Sequence, residues 1–120
     1  MPTLEKLLLA GSNSGRPIAI SVTGSAGTTV HTTTTGSAII DEVWLYSSYT
    51  GTGTQKVTVE FGNTTASDRF ETTVTGSVGL YLLSPGLTIS ASGSTASTIR
   101  AFATTGSGVT IAGYVNRYTP

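Results

Sequence analysis

Ile39-Ile40-Asp41-Glu42-Val43-Trp44-Leu45-Tyr46-Ser47-Ser48 is the stretch on which the fold turns. Successive residues of a strand point to opposite faces. Ile39, Val43 and Leu45 therefore share one face, and Ile40, Trp44 and Tyr46 share the other. Both faces are largely apolar, with Asp41 and Glu42 interrupting near the start. A strand apolar on both sides is either central to a closed structure or covered by a partner. The pattern favours a core face plus a partly covered outer face. Trp44 is expected in the core, the usual place for a central-strand Trp in a sandwich.

Working outward, short apolar runs recur with Gly, Ser and Thr between them, the rhythm of an all-β chain. Upstream, Leu7–Ala10 reads as a first strand, or as a short helical turn because Leu4, Leu7 and Leu8 share helical spacing. Arg16–Thr23 alternates, with Ile18, Ile20 and Val22 on one face and Pro17 marking an edge or starting position. Thr28–Thr35 is a polar strand around Val30. Downstream, Gln55–Phe61 places Val57, Val59 and Phe61 inward and Thr58 and Glu60 outward. Arg69–Thr75, Val78–Leu83, Leu87–Ala91, Thr98–Thr104 and Val109–Tyr118 complete the series. Ser84-Pro85-Gly86 reads as a β-turn with Pro and Gly at its centre.

Eight or nine strands without a convincing helix predict an all-β fold, a two-sheet antiparallel sandwich of jelly-roll or immunoglobulin-like type. Residues 1–15 form an N-terminal arm or first strand, and residues 16–120 a single sandwich domain.

Composition narrows the function. Six basic and six acidic residues cancel and are scattered, so no basic patch tracks a phosphate backbone or an anionic membrane; nucleic acid and membrane are not expected partners. The 24 threonines outnumber the charged residues two to one. Thr suits pleated strands, and a charge-poor hydroxyl surface costs less to desolvate beneath another protein. With no cysteine, disulfides and thiolate metal sites are excluded. No run approaches the ~20 apolar residues of a membrane span. Leu4–Ala10 is too short for a secretory core and lacks a basic flank, which predicts a protein made in a cytoplasm and unprocessed.

A search for catalytic chemistry returns little. His31 is the only histidine, no Gly-x-Ser-x-Gly elbow accompanies it, and a partly exposed strand histidine is the expected role. One His without Cys does not make a zinc site. Asp41 and Glu42 point to opposite faces and do not share a substrate; salt bridges or solvated edges are their expected uses. Gly51-Thr52-Gly53 lacks the helix and Lys-Ser/Thr pair of a phosphate loop. Asn63-Thr64-Thr65 reads as a turn. No catalytic residue, cofactor or metal site is expected.

Several blocks resemble small virion proteins of tailed bacteriophages, specifically capsid decoration or cement proteins. They are Lys6-Leu-Leu-Leu-Ala-Gly-Ser-Asn-Ser-Gly-Arg-Pro-Ile18, Gly27-Thr-Thr-Val-His31, Asp41-Glu-Val-Trp-Leu-Tyr46, Val57-Thr-Val-Glu-Phe-Gly62 and Ile111-Ala-Gly-Tyr-Val-Asn-Arg117. They occur in order over nearly the whole chain. The resemblance implies a β-sandwich on the outside of a major capsid protein lattice, often a homotrimer at local three-fold positions, made in a host cytoplasm and resident on the virion. Candidate contacts are Leu4, Leu7 and Leu8 of the arm, the aromatic residues Trp44, Tyr46 and Tyr49, and Arg117 and Tyr118 near the C-terminus. Other virion positions (tail, neck or head fibre) and a carbohydrate-binding module stacking sugars on Trp44, Tyr46 and Tyr49 are the alternatives.

Overall fold

A computed structural model describes residues 2–120. Its nine strands are β1 (Thr3–Leu8), β2 (Ile18–Ala19), β3 (Thr28–Thr32), β4 (Ile40–Tyr49), β5 (Thr54–Gly62), β6 (Arg69–Thr75), β7 (Tyr81–Ser90), β8 (Thr98–Ala103) and β9 (Val109–Thr119). One 3-10 turn, Ala66–Asp68, joins β5 to β6.

The pairing is nested and antiparallel throughout: β5 with β6, β4 with β7, β3 with β8, β2 with β9. A chain that pairs from its middle outward is one long hairpin. Rolling that hairpin up adds the contacts of β4 with β9 and β5 with β8. Sheet A then runs β1–β9–β4–β7, with β2 also on β9; sheet B runs β3–β8–β5–β6. Since β4 occupies one edge of β9, β1 and β2 lie end to end along the other. This is the jelly-roll topology, which decides against the immunoglobulin-like alternative.

The inner faces are built by alternation. Val43 and Leu45 of β4, Val57 and Val59 of β5, Ile99 and Ala101 of β8, and Ile111 and Val115 of β9 are all fully buried between the sheets. Each buried Val, Leu or Ile contributes roughly 1.5–3 kcal/mol relative to exposure. The two sheets are held by this layer without disulfides.

Five sequence expectations are corrected. Trp44 lies on the outer face of sheet A, half-buried, because β4 turns Asp41, Val43, Leu45 and Ser47 inward. Ser84-Pro85-Gly86 is not a turn: β7 runs through it as one strand. The register shifts opposite Val43/Trp44 and Leu45/Tyr46 leave Gly86 and Leu83 as extra, bulged residues. Pro85 is tolerated because β7 is an edge strand, where a missing N–H breaks no ladder. The first strand is Thr3–Leu8, not Leu7–Ala10 or a helical turn. Val78 and Leu80, expected in a strand, are exposed in the connection before β7.

Fifth, His31, expected to be partly exposed, and Glu60, expected to face outward, are buried, and the salt bridge expected as one use of Asp41 forms inside the fold. His31 and Asp41 lie inside the sandwich, each about 1 % exposed. Glu60 does point outward from β5, but the segment before β3 covers it. Ser25 Oγ and the Gly27 N–H donate to its two carboxylate oxygens at 2.5 and 2.8 Å. A buried carboxylate needs such donors, since leaving it unpaired costs several kcal/mol.

Candidate partner-binding face

The outer face of sheet A is assembled by the register of five strands. Residues directly opposite one another form rows across it. One row is Leu4, Tyr118, Ile40 and Ser90. The next is Lys6, Asn116, Glu42 and Thr88. Then come Leu8, Tyr114, Trp44 and Pro85, then Ala112, Tyr46 and Leu82, and at the far end Ala19, Thr110 and Ser48. Three of the five rows are mainly apolar or aromatic. Leu4 is 73 % and Leu8 60 % exposed, and Ile40, Leu82 and Tyr118 are exposed as well.

The charged row is partly satisfied within the chain. Glu42 Oε1 accepts from Trp44 Nε1 at 2.8 Å and from Asn116 Nδ2 at 3.0 Å. These two bonds, Trp44's first, hold the Glu42 carboxyl below the usual carboxylate range. Lys6 Nζ lies 4.7 Å from the centroid of the Tyr114 ring, a cation–π contact. The charges of Lys6 and Glu42 cancel formally, and Glu42 Oε1 and the N–H groups of Trp44 and Asn116 are paired with one another. Covering the apolar rows with protein gains apolar burial, offset in part by desolvation of the Lys6 ammonium.

Sheet B presents the opposite character. Its outer face carries Lys56, Glu71, Thr73, Thr75 and Arg100 among threonines, with Lys56 and Glu71 paired at 3.5 Å in solvent. The two faces of the sandwich thus differ in kind: one apolar and internally neutralised, the other hydroxyl- and charge-bearing.

Five of the candidate contacts meet on the apolar face: Leu4, Leu8, Trp44, Tyr46 and Tyr118. Three do not. Leu7 faces the other way and packs against the core. Arg117 turns inward onto Asp41. Tyr49 sits at the end of β4, packed against the core, with its hydroxyl donating to the Thr52 carbonyl at 3.3 Å. Tyr114 and Leu82 belong to the face and were not singled out. Tyr114 had a readable signal, since it shares strand parity with Tyr118 and opposes the parity of Ile111 and Val115. Leu82 had none, because the bulges of β7 break its alternation.

The remaining cluster of ionisable groups is inside the fold. His31 Nε2 is 2.7 Å from Asp41 Oδ2, and the Ala10 N–H donates to His31 Nδ1 at 3.0 Å. Arg117 donates to Asp41 through Nε (2.7 Å) and Nη2 (2.9 Å). Because Nδ1 accepts, the ring proton sits on Nε2 and points at Asp41. Burial lowers the His31 pKa, outweighing the hydrogen bond it donates to Asp41, which favours protonation. Burial would raise that of Asp41, but the bonds from Arg117 and His31 prevail and hold it below its ordinary value. Both ring nitrogens are engaged by the fold itself, so the pair joins β3 to β4 and β9 and presents no free nitrogen to a substrate. Among the described residues, no group of three His, Asp or Glu is placed to hold a metal ion.

Compared with family models, curated proteins and solved structures, the chain matches none.

Proposed function

We propose that this chain is a virion structural protein that decorates the outside of a major capsid protein lattice and stabilises it. The observation that carries the proposal is the outer face of sheet A, where Leu4, Leu8, Trp44, Tyr46, Leu82, Tyr114 and Tyr118 converge around a neutralised polar row. The sequence blocks that resemble phage decoration proteins support the choice of partner. The jelly roll agrees with it, as a fold used in viral capsids among other roles.

The mechanism is multivalent clamping. A standard interface covers about 800 Å² per partner, and one such contact per copy is modest. A closed shell presents many copies, and a homotrimer at a three-fold position ties several capsid subunits together, so that avidity exceeds any single affinity. Separation of neighbouring capsomers is thereby opposed.

A carbohydrate-binding role draws less support from the same residues. Sugar stacking needs a free ring face. Trp44 is flanked by Tyr114 on β9 and by Gly86 on β7, where an added Cβ would lie 2.9 Å from Trp44 Cζ2. Tyr114 has Lys6 over its ring.

The test is co-sedimentation of purified protein with expanded, mature-form capsid shells. Saturation at a fixed ratio to the major capsid protein supports decoration. Failure to associate with such shells overturns it, and labelling confined to one vertex of whole particles assigns the protein to a neck, tail or head-fibre position instead.

A further inference from the structure

After β1 the chain crosses from sheet A toward sheet B through Leu9, Ala10 and Gly11. Three anchors hold this crossing. The Leu9 side chain is buried in the core, the Gly11 N–H donates to the Val30 carbonyl at 2.9 Å, and the Ala10 N–H donates to His31 Nδ1 at 3.0 Å. The first two do not change with pH. The third exists only while Nδ1 carries no proton.

A second ring proton converts Nδ1 from acceptor to donor. Two N–H groups then face each other, and the Ala10 amide, on an exposed residue, loses its acceptor on the ring and is free to turn to water. The imidazolium keeps its bond to Asp41 on β4, but both oxygens of that carboxylate already accept from Arg117 on β9. Arg117 opposes the new positive charge. Glu5 on β1, opposite Arg117 in register, favours the guanidinium rather than the ring. From β8, Ile99 lies opposite His31 and brings no charge; Arg100 beside it points outward to Thr29. The cost of protonation therefore falls on the one partner that can move away, the Ala10 amide.

We propose that His31 is an acid-sensitive latch on the N-terminal segment: protonation at Nδ1 expels the Ala10 amide and loosens the crossing between β1 and β2 at that point, Leu9 and Gly11 remaining anchored, while the sandwich stays folded. The lowered pKa of the buried ring agrees with a latch that is closed at neutral pH. The latch is a property of the isolated chain and does not depend on what sheet A binds.

The experiment is residue-resolved amide exchange on the whole chain from about pH 7.5 to about pH 4.5, expressed as protection factors. With an ordinary His pKa in the open form, opening rises roughly tenfold for each pH unit below about 6.5, until the closed form itself titrates. Protection at Ala10 is expected to fall by that factor and to stay far below that of Val57 and Ile99, whose exchange needs unfolding of the whole sandwich. Protection at Ala10 that stays flat, or that equals that of Val57 at every pH, overturns the latch. His31→Gln cannot titrate, so its Ala10 protection is expected to be independent of pH; an unchanged slope in that variant also overturns it. Should the variant not fold, ring-nitrogen shifts of the wild-type protein decide: a proton on Nδ1 at neutral pH is the overturning result.

Discussion

Trp44 and Tyr114 stand directly opposite each other on β4 and β9, their ring centroids 6.3 Å apart and their planes within 15° of parallel. The pair is at the centre of the outer face of sheet A, and Trp44 is tied down by its bond to Glu42. Such a stack is worth about 0.5–1.5 kcal/mol beyond its area. Trp44→Ala is therefore expected to lower stability by about 1–2 kcal/mol in urea denaturation, well short of the ~3–5 kcal/mol of a fully buried aromatic. A larger loss would assign the ring a core role. In shell binding the same variant is expected to lose about thirtyfold or more, as central aromatic anchors do, at about 2 kcal/mol or above.

The difference between the two sheet faces makes the orientation of docking testable. Leu8→Asp puts a charge on the apolar face, and Thr73→Asp puts one on the outer face of sheet B; both positions are exposed. Each is expected to change stability by no more than about 0.5 kcal/mol. Co-sedimentation with shells is expected to fail for Leu8→Asp and to survive Thr73→Asp. The opposite outcome would move the docking surface to sheet B.

Much of this architecture was readable because strand parity is a strong signal where both neighbours are regular. The inward sets Val43/Leu45, Val57/Val59 and Ile99/Ala101, and the outward set Ile40/Trp44/Tyr46, follow from alternation alone. Parity says which residues share a face, not whether that face is buried. Trp44 was for that reason expected in the core, although Val43 and Leu45 already filled the inner side. Pro85-Gly86 carries the same local chemistry in a turn as in an edge bulge; only the pairing of β7 with β4 separates the two. The burial of Glu60 depends on Ser25 and Gly27, more than thirty residues away in the chain. The His31–Asp41–Arg117 cluster likewise joins three strands that no local pattern links.

That cluster makes a prediction about acid. The folded-state pKa of His31 is lowered, so below about pH 6.5 the unfolded chain takes up a proton that the native state resists, and stability falls as the pH drops. Asp41 is also lowered, so its contribution is present above about pH 4 and is lost as the pH falls through its native value. Both losses lie on the acid side, and urea midpoints should decline in two stages between about pH 7 and pH 3. Arg117→Met leaves Asp41 buried with His31 alone. It is expected to cost about 3 kcal/mol at neutral pH, the lower part of the range for breaking a buried pair, since the guanidinium is partly exposed. It should also flatten the second stage. A variant as stable as wild type would show the pair to be dispensable.

The close approach of β4 and β9 beneath the Trp44–Tyr114 pair rests on Gly113. A Cβ at this position would lie 1.9 Å from the Trp44 carbonyl oxygen, a backbone atom that cannot swing aside. Gly113→Ala must therefore push apart the two central strands of sheet A, whose ladder runs unbroken from Ile40↔Tyr118 to Tyr49↔Val109. A loss above about 3 kcal/mol is expected, in the range reserved for strain at a site with no room to relax. Because Trp44 is the only tryptophan, its fluorescence should report the displacement in whatever fraction still folds. Gly24 is the matched control: nothing lies within 4 Å of its added Cβ, so Gly24→Ala is expected to change stability by less than about 1 kcal/mol, with the entropy of the unfolded chain favouring a gain. Equal effects at the two positions would mean that the strand approach at Gly113 is not what holds the pair in register.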